Sequence, residues 1–304
     1  MKTPRSMPLV GLRTRTNIVR QLMTFETDRA FYLALSELNH RYAPVGAEPG
    51  ERHSTTSLAA FELRVLSQNG EDGVLAEIFR RIGAPARFFV EFGVESGREG
   101  TCVYLADIAE WAGLFIEADP SFYRELEHKY AASAGVLTSE AMVTPANVEE
   151  LFKRANVPTE PDVVSIDIDG GDYWVWEAIV NYRPRVVVIE YNAAIDPRRR
   201  LVQPRERTGW DGTDFFGASV AALQALGESK GYRLVHTELA GLNAFFVRED
   251  VAEDRFSEAG RVPVRGFPNY FLRGYRHPRS SSADRSYLDI DTGELVPAGE
   301  SPSR

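Results

Sequence analysis

The chain has 304 residues, of which 43% are hydrophobic and 11% aromatic, so it can form one large domain with extensions or two small ones. Its net charge of -9 and pI of about 5.2 argue against a general nucleic-acid-binding surface. The single cysteine, Cys102, excludes an internal disulfide and is typical of a reducing compartment such as the cytoplasm. No apolar run approaches the roughly 20 residues of a membrane-spanning helix.

The first 60 residues are interpreted as an N-terminal arm with a helical extension. Residues 1–20 contain five basic side chains and no acidic one, without the apolar stretch of a secretory signal, which favours a mobile basic arm over a targeting segment. Phe31, Leu35 and Leu38 recur at helical spacing and predict a helix over about 28–40, which could pack against a second subunit of a homo-oligomer. A Pro- and Gly-rich run at 43–53 is typical of a linker.

Helices and strands alternate through the middle of the chain. Helices are predicted over 71–82, 99–110, 121–132, 147–155, 173–181 and 219–230, and strands over 88–92, 114–117, 135–143, 162–167, 185–190, 232–237 and 243–247. This alternation predicts an α/β, Rossmann-like doubly wound fold whose mostly parallel seven-stranded sheet carries an antiparallel edge hairpin. The core domain would span 61–250. The remaining 251–304 would be a C-terminal extension that becomes a polar, mobile tail after about 275.

Two acidic strand ends flank the first predicted crevice. Glu91 lies in the first strand, before Gly93, Glu95 and Gly97, and glycines at such a turn let the backbone approach a ligand. Their spacing lacks the Gly-x-Gly-x-x-Gly of dinucleotide-binding loops, which disfavours a pyrophosphate site. Glu117 ends the second strand, at a separation from Glu91 close to the roughly 20 residues expected for an acid that accepts ribose hydroxyls. The alternative is that these are turn glycines and a solvated strand end.

Three carboxylates follow the fourth predicted strand, at Asp167, Asp169 and Asp172. Carboxyl ends of parallel strands open onto the ligand crevice, and clustered acids repel one another unless a cation or a proton shares their site. Glu190 ends the next predicted strand and Asn192 follows it, so these oxygen-bearing side chains could converge on one rim. The alternative is an Asp-Gly turn without a ligand.

Two chemistries stay open for this rim, and in both Asp169 and Glu190 are the candidate catalytic residues. Oxygen-only ligand sets suit hard cations such as Mg²⁺, which Asp169, Glu190 and Asn192 would hold so that the pKa of a substrate hydroxyl falls. Without a metal, burial could raise the pKa of Asp169 and make it a general base, while Asp167 would accept a hydrogen bond from a cofactor amino group.

Three further segments each allow a structural and a functional interpretation. The segment 67–72 is either an elaborate helix cap or a cofactor contact through Gln68. The arginine-rich loop 193–217 exceeds the about 12–15 residues of ordinary loops, so it is either a lid over an anionic acceptor or a solvated charged loop. The aromatic residues after the acidic turn are either core or a stacking wall for a sugar or aromatic acceptor: Tyr173, Trp174 and Trp176. His236 is interpreted as structural.

Several motifs together resemble the class I S-adenosylmethionine-dependent methyltransferases, especially the FkbM-like group, over about 62–250. The motifs that carry the resemblance are Glu91-Phe92-Gly93, Glu117-Ala118-Asp119, Ser67-Gln68-Asn69-Gly70-Glu71-Asp72, Ser165-Ile166-Asp167-Ile168-Asp169-Gly170, Val188-Ile189-Glu190-Tyr191-Asn192 and Gly217-Ala218-Ser219. Position 95 departs from the commoner Asp/Glu-x-Gly-x-Gly form, because it is glutamate. The resemblance implies that Glu91 and Gly93 line the amino-acid end of the cofactor, that Glu117 binds its ribose, and that 138–142 flank its adenine.

The sequence therefore predicts an S-adenosylmethionine-dependent methyltransferase that acts on a hydroxyl of a small molecule, with a sugar preferred by resemblance and Mg²⁺ as an optional second cofactor. The predicted cofactor-binding residues are Gln68, Glu91, Gly93, Glu95, Gly97, Glu117 and Asp167. Two alternatives are an NAD-dependent oxidoreductase, which would need the missing glycines, and a non-catalytic Rossmann-like binding module.

Overall fold

The computed structural model describes residues 57–256 and 285–298. The predicted helix over 28–40 and the linker at 43–53 lie outside the described residues. The α-helices are α1 Glu71–Ile82, α2 Val103–Asp107, α3 Pro120–Tyr130, α4 Val148–Arg154, α5 Asp172–Ala178, α6 Val220–Ser229 and α7 Glu249–Ala252. The strands are β1 Phe88–Phe92, β2 Ala112–Glu117, β3 Val136–Glu140, β4 Val163–Ile166, β5 Val186–Glu190, β6 Leu201–Val202, β7 Tyr232–Thr237, β8 Asn243–Arg248, β9 Ser286–Asp289 and β10 Leu295–Pro297.

Seven strands form one twisted-sheet layer in the order β3-β2-β1-β4-β5-β8-β7. Strands β1 to β5 pair in parallel, whereas β8 runs antiparallel to both of its neighbours, β5 and β7. The predicted Rossmann-like, mostly parallel sheet with an antiparallel edge hairpin is confirmed. The order of the strands reverses between β1 and β4, and in open α/β sheets ligands bind beyond the carboxyl ends of the strands at such a point.

Both faces of the sheet are buried, which explains why its strands appear as nearly continuous apolar runs in the sequence. Along β1, Val90 and Phe92 belong to one hydrophobic cluster and Phe89 belongs to the other. Each large apolar side chain buried in this way contributes about 1.5–3 kcal/mol to folding. The two clusters fix the sheet rigidly and so fix the strand ends that carry the acidic residues.

The structure departs from the sequence prediction in two places. The helix predicted over 99–110 is shorter, at Val103–Asp107, because the preceding residues form a loop. Within the predicted C-terminal tail, residues 285–298 form a hairpin of β9 and β10 that the sequence pattern did not predict, and β9 also pairs with β6. Tyr287 of this hairpin is buried, with its ring 4.7 Å from that of Phe215. Within 57–256 and 285–298, no helix is long and apolar enough to cross a membrane.

Candidate active site at the carboxyl edge of the sheet

Three carboxyl groups meet at the ends of two neighbouring strands. Asp167 follows β4, Glu190 ends β5, and Ile166 and Ile189 are partners in the register of these strands. Asp169 lies on the loop after β4, and one oxygen from each of Asp167, Asp169 and Glu190 lies within 4.8 Å of the others. The structure thus brings together the two candidate catalytic residues and one predicted cofactor-binding residue. We call these three residues the acidic cluster.

The loop that carries the cluster is held by a fourth acid, Asp172. Its Oδ1 accepts a hydrogen bond from the backbone N–H of Ile168 and its Oδ2 accepts one from Gly170, both at 2.9 Å. These bonds stabilise a loop in which Asp169 has a φ of 56° and Gly170 a φ of 130°. Because positive φ values are costly for most side chains but tolerated by aspartate, the loop presents Asp169 in a strained but compatible conformation. Asp172 therefore organises the turn.

The carboxyl groups of the cluster resist ionisation. Burial raises the pKa of Asp167 well above its ordinary value, and the charges of Asp172 and Asp169 add to this effect. Burial, Asp167 and other nearby carboxylates likewise raise the pKa of Glu190 well above its ordinary value. Desolvation and the charge of Glu117 raise the pKa of Asp169. The cluster can therefore hold a proton, or it can ionise fully when a cation neutralises it.

The free energy of unfolding is expected to increase when the pH is lowered mildly, because burial favours the neutral form of the carboxyl groups around the crevice. Burial raises the pKa of Glu91 to about 7 and those of Asp72 and Asp172 to about 6. A carboxyl group whose pKa is higher in the folded state binds more protons there, so folding loses stability as the pH rises through that pKa. For Glu91 alone the loss between pH 5 and pH 8 is on the order of 2 kcal/mol. Calorimetric melting temperatures of the ligand-free protein over this range would measure it.

The control for this prediction is the same series at high salt. Salt screens the exposed ion pairs but has little effect on buried groups, so the upward trend on acidification should survive. A melting temperature that is equal or higher at pH 8 than at pH 6 would contradict the prediction.

Glu91 holds the far end of the loop that follows β1. Its two carboxylate oxygens accept hydrogen bonds from the backbone N–H groups of Thr101 and Cys102, at 2.7 and 2.9 Å. Gly100 makes this possible, because a Cβ atom there would lie 2.9 Å from Oε1 of Glu91. These bonds satisfy donors at the start of α2 and explain why that helix starts late. The predicted contact of Glu91 with a cofactor stays a prediction.

Glu117 organises the near side of the same loop. Its Oε2 accepts a hydrogen bond from the backbone N–H of Glu95 and its Oε1 accepts one from Asp119, both at 2.7 Å. A carboxylate offers about four acceptor positions, so two remain for the hydroxyls of a ribose. Glu95, predicted as a cofactor contact, has a φ of 52° and contributes its backbone N–H to this arrangement.

The two glycines of the β1 loop have different surroundings. Gly93 has a φ of 69°, and a Cβ atom there would lie only 2.0 Å from the carbonyl oxygen of Asp167. The backbone after β1 therefore crosses the end of β4 at contact distance, which requires glycine. Gly97 instead faces α3, since a Cβ atom there would lie 2.7 Å from Cδ1 of Leu126. Its predicted cofactor contact is not tested by this packing.

The carboxylate of Asp72, in the first turn of α1, holds the segment that precedes the helix. Oδ2 of Asp72 accepts hydrogen bonds from the backbone N–H groups of Val65, Leu66 and Ser67, at 2.7 to 2.8 Å. Such a carboxylate at the start of α1 also interacts favourably with the helix dipole. The structural interpretation therefore holds for Asp72. The cofactor contact of Gln68 stays a prediction.

Asn192 is engaged by the long loop 193–217. Its Nδ2 donates to the carbonyl oxygens of Asp214 and Phe216 and to the hydroxyl of Tyr287, and its Oδ1 accepts from Ala194. The sequence placed this amide on the rim because it follows Glu190. In the structure its hydrogen bonds connect the start of the loop to the end of the loop. The predicted role of Asn192 as a metal ligand stays a prediction.

The arginines of the loop are mostly neutralised by nearby carboxylates. The ion pairs are Arg198–Asp196, Arg199–Asp289, Arg200–Asp291 and Arg205–Glu177. Two of these ion pairs join the loop to the C-terminal hairpin, whose strand β9 also pairs with β6. Whether this segment is a lid over an acceptor or a charged surface loop stays open. Of the aromatic residues after the acidic turn, Trp176 is fully buried core, whereas Trp174 contacts the loop by donating from Nε1 to the carbonyl of Gln203.

A buried polar network beside the cluster was missed by the sequence analysis. Nδ2 of Asn69 donates to Glu71 and to Glu238, and Asn243 donates to the same two carboxyl groups. Glu71 and Glu238 are fully buried. The signal available in the sequence was the placement of Glu238 and Asn243 at the turn of the predicted edge hairpin, on the same side as the other acidic strand ends.

The chain was compared with family models, curated proteins and solved structures. No family model and no curated protein matches it. Among solved structures it is similar to the Methanococcus jannaschii fibrillarin pre-rRNA processing protein, with 17% identity over 53% of this chain and 66% of that one and a TM-score of 0.38. The N-terminal domain of EvdMO1 with SAH bound has 12% identity over 53% of this chain and 72% of that one, with a TM-score of 0.36.

A third solved structure is the CcbJ methyltransferase from Streptomyces caelestis, with 14% identity over 54% of this chain and 84% of that one and a TM-score of 0.35. Each of these likenesses is confined to about half of the chain. The strand order and the burial of both sheet faces therefore establish by themselves that the chain is a Rossmann-like α/β protein.

Proposed function

We propose that this protein is an S-adenosylmethionine-dependent methyltransferase that methylates a hydroxyl group of a small molecule. The observation that carries the proposal is the set of carboxyl groups in the crevice at the point where the strand order reverses. Glu91 and the acidic cluster lie there, and the pKa values of these carboxyl groups are raised mainly by burial. A bound cation such as a sulfonium would lower these pKa values and be stabilised by the ionised carboxylates, whereas an anion such as a pyrophosphate would gain no such partner.

The geometry of the β1 loop also favours this proposal over an NAD-dependent oxidoreductase. A dinucleotide-binding fold places a helix N-terminus directly after the first strand, where it faces the pyrophosphate. Here β1 ends at Phe92 and the next helix, α2, starts at Val103 and ends at Asp107. Backbone N–H groups of the intervening loop donate hydrogen bonds to the carboxylates of Glu91 and Glu117. A pyrophosphate bound at this loop would therefore lie close to two acidic side chains.

The proposed roles follow from these positions. S-adenosylmethionine supplies an electrophilic methyl group on a positively charged sulfur. Glu117 would accept hydrogen bonds from the ribose, and the backbone at Gly93 would line the methionine end. Asp169 would take the proton of the acceptor hydroxyl while the S–CH₃ bond of the cofactor breaks and an O–CH₃ bond forms on the acceptor. The products are S-adenosylhomocysteine, the methylated acceptor and a protonated carboxyl group on Asp169. Glu190 would hold the hydroxyl or share this proton.

The acidic cluster also fits a divalent cation. Its oxygens lie within 4.8 Å of one another, and Oε2 of Glu190 is buried without a hydrogen-bond partner among the described residues. Asp167, Asp169 and Glu190 would be the ligands of Mg²⁺, which would lower the pKa of an acceptor hydroxyl. Because all three donors are carboxylate oxygens, the cluster suits a cation that prefers oxygen ligands.

Removal of divalent cations distinguishes the two forms of the mechanism. If the cluster holds Mg²⁺, dialysis against EDTA should lower the turnover rate by at least about ten-fold, and added Mg²⁺ should restore it. If Asp169 acts alone as the base, activity in EDTA should equal that of the untreated enzyme. Binding of S-adenosylhomocysteine should be insensitive to EDTA in both cases, which provides the control.

Glu117→Gln is expected to weaken S-adenosylhomocysteine binding by roughly ten-fold or more. An amide accepts through one oxygen only, so it cannot keep both backbone N–H groups and also bind both ribose hydroxyls. Isothermal titration calorimetry would measure the affinity. The matched control is Glu160→Gln, because Glu160 is exposed, pairs with Arg248 and precedes β4, at the edge of the sheet opposite to Glu117. Equal affinities of the two variants would contradict the ribose role.

The same calorimetry tests the proposed function as a whole. The unmodified protein should bind S-adenosylhomocysteine and should give no heat with NAD. If it binds NAD instead, the oxidoreductase is the correct class; if it binds neither, a binding module of another kind is favoured. The resemblance to the FkbM-like group supports a sugar as acceptor, and the single buried Cys102 is compatible with the proposed cytoplasmic location.

A further inference from the structure

The long loop after β5 lies in direct contact with the turn that carries Asp169. A Cβ atom at Gly170 would lie 2.4 Å from Oε1 of Gln203 and 2.9 Å from the backbone nitrogen of Gly209. Nε2 of Gln203 also donates to the carbonyl oxygen of Gly209 at 3.1 Å, which holds this part of the loop together. Asp169 precedes Gly170 and Trp210 follows Gly209, so the Cα atoms of Asp169 and Trp210 are at most about 13 Å apart. The contact therefore brings Trp210 close to the acidic cluster.

The indole of Trp210 is exposed and yet held by hydrogen bonds. The residue is 53% exposed, and its Nε1 donates to the carbonyl oxygen of Thr213 at 2.7 Å. Asp211 accepts from the backbone N–H of Thr213 at 3.1 Å and from Arg285 of the C-terminal hairpin at 2.7 Å. The polar atom of the indole is thus already bonded, and its apolar faces are left for a ligand. A side chain held in this way loses little conformational entropy when a ligand binds.

The other aromatic side chains near the acidic turn are less accessible. Tyr173 and Trp176 are buried, and the guanidinium of Arg205 lies over the ring of Trp174, 4.7 Å from its centroid. Isolated exposed apolar side chains are common on protein surfaces. Trp210 differs from them by its hydrogen-bonded orientation and by its place beside the acidic cluster. It is therefore the aromatic surface best placed to contact an acceptor.

The crevice beside Trp210 offers carboxyl groups to a ligand. Asp169 is exposed, so the acidic cluster is open to solvent at this residue. Oε2 of Glu190 has no hydrogen-bond partner among the described residues. An ionised carboxyl group accepts hydrogen bonds from hydroxyls, and a neutral one both donates and accepts, so hydroxyl groups suit the cluster in either state. A ligand with several hydroxyl groups would therefore use more of this edge than a ligand with one.

The combination of an open indole face and several carboxyl groups favours a saturated ring over a planar aromatic one. A saturated polyhydroxylated ring carries hydroxyl groups around its rim and C–H groups on its faces. The face of an indole carries partial negative charge, so it attracts C–H groups, which carry partial positive charge. A simple phenol would stack equally well but would bring only one hydroxyl to the carboxyl groups.

We infer that Trp210 stacks against the face of a saturated, polyhydroxylated ring of the methyl acceptor, while Asp169 and Glu190 bind hydroxyl groups at the rim of that ring. The inference rests on the proposed function, which it makes more specific by naming the residue that contacts the acceptor ring. It assigns acceptor recognition to the part of the long loop that lies on the acidic turn.

Methyl transfer to neutral sugar probes tests this inference on the full chain. The probes are the methyl glycosides of glucose, galactose, mannose, xylose, rhamnose and fucose, with catechol as the planar comparison, and transfer is followed from radiolabelled S-adenosylmethionine. We expect at least one glycoside to be methylated in preference to catechol. Trp210→Ala should raise the KM for that glycoside by about ten-fold, because the buried indole face is lost, with kcat within about two-fold. Trp210→Phe, which keeps an aromatic face, should stay within about three-fold of the unmodified KM.

The control is Leu295→Ala. Leu295 is also an exposed apolar residue, and it lies on β10, the strand of the small sheet that is farthest from β6. This variant should keep the KM of the unmodified enzyme. Trp210→Leu serves as a second variant if Trp210→Ala lowers the melting temperature, because leucine keeps apolar bulk without a ring; its KM should rise in the same way.

Four outcomes would overturn the inference. These are methylation of none of the glycosides, a preference for catechol, a KM that is unchanged in a folded Trp210→Ala or Trp210→Leu variant, and an equal rise of KM in Leu295→Ala. Failure of the proposed function is distinguishable, because the protein would then not bind S-adenosylhomocysteine. In that case binding of the glycosides is measured from the fluorescence of Trp210, obtained as the difference between the unmodified chain and Trp210→Phe, and an unchanged fluorescence overturns the inference as well.

Discussion

Asp169→Asn is expected to lower the rate constant of methyl transfer by about 10²- to 10⁴-fold, because it removes the carboxylate that takes the acceptor's proton. Asparagine preserves the size of the side chain and, like aspartate, tolerates the φ of 56° found at this position. The turn held by Asp172 should therefore keep its shape. Affinity for S-adenosylhomocysteine should change little, since the methionine and ribose contacts are proposed at Gly93 and Glu117. Single-turnover kinetics and calorimetry would measure the two quantities separately.

Asp291→Asn is the matched control for this experiment. Asp291 is exposed on the C-terminal hairpin and pairs with Arg200 at 3.0 Å, so the variant loses the same charge away from the crevice. It should retain the rate of the unmodified enzyme. If Asp169→Asn also retains most of its activity, Asp169 is not the base. A large fall in Glu190→Gln alone would then transfer that role to Glu190.

The sheet was predictable because burial on both faces leaves a clear pattern in the sequence. Runs such as Val186–Ile189 are apolar throughout and end at an acid, Glu190, which identifies both a buried strand and its carboxyl end. The C-terminal hairpin could not be predicted in this way. Its strand β9 pairs with β6, which is only two residues long and lies far away in the sequence. Such pairing depends on the final position of a loop, and the local pattern around Tyr287 does not contain that information.

The site was predictable to the extent that strand adjacency decides it. Asp167 and Glu190 converge because β4 and β5 are neighbours in register, and the sequence placed both acids at the ends of these strands. The direction of Asn192 was not predictable, because it depends on carbonyl groups of the returning loop. The bonds from Thr101 and Cys102 to Glu91 were missed for a similar reason. They depend on a loop path that only the folded chain defines.

Gly93→Ala is expected to destabilise the protein by about 2–5 kcal/mol and to weaken S-adenosylhomocysteine binding strongly. An L-residue at the φ of 69° found here costs about 1–2 kcal/mol. The added Cβ would lie 2.0 Å from the carbonyl oxygen of Asp167, and such overpacking costs about 1–3 kcal/mol more. Because that oxygen belongs to the backbone, relief requires the acidic turn or the β1 loop to move. Urea unfolding would measure the free energy, and calorimetry the affinity.

Gly83→Ala separates the cost of the backbone conformation from the cost of close approach. Gly83 has a φ of 72°, nearly that of Gly93, but a Cβ atom there would meet nothing within 4 Å. Its ψ of 169° lies in a region that costs a side chain about 1–3 kcal/mol, so this variant should lose only that amount and should bind S-adenosylhomocysteine normally. Equal losses of stability and affinity in the two variants would refute the contact between the β1 loop and the end of β4. A larger loss of stability and affinity in Gly93→Ala than in Gly83→Ala would indicate that the backbone at Gly93 and Asp167 line the same crevice. The methyl group added at residue 93 would lie between them and displace both.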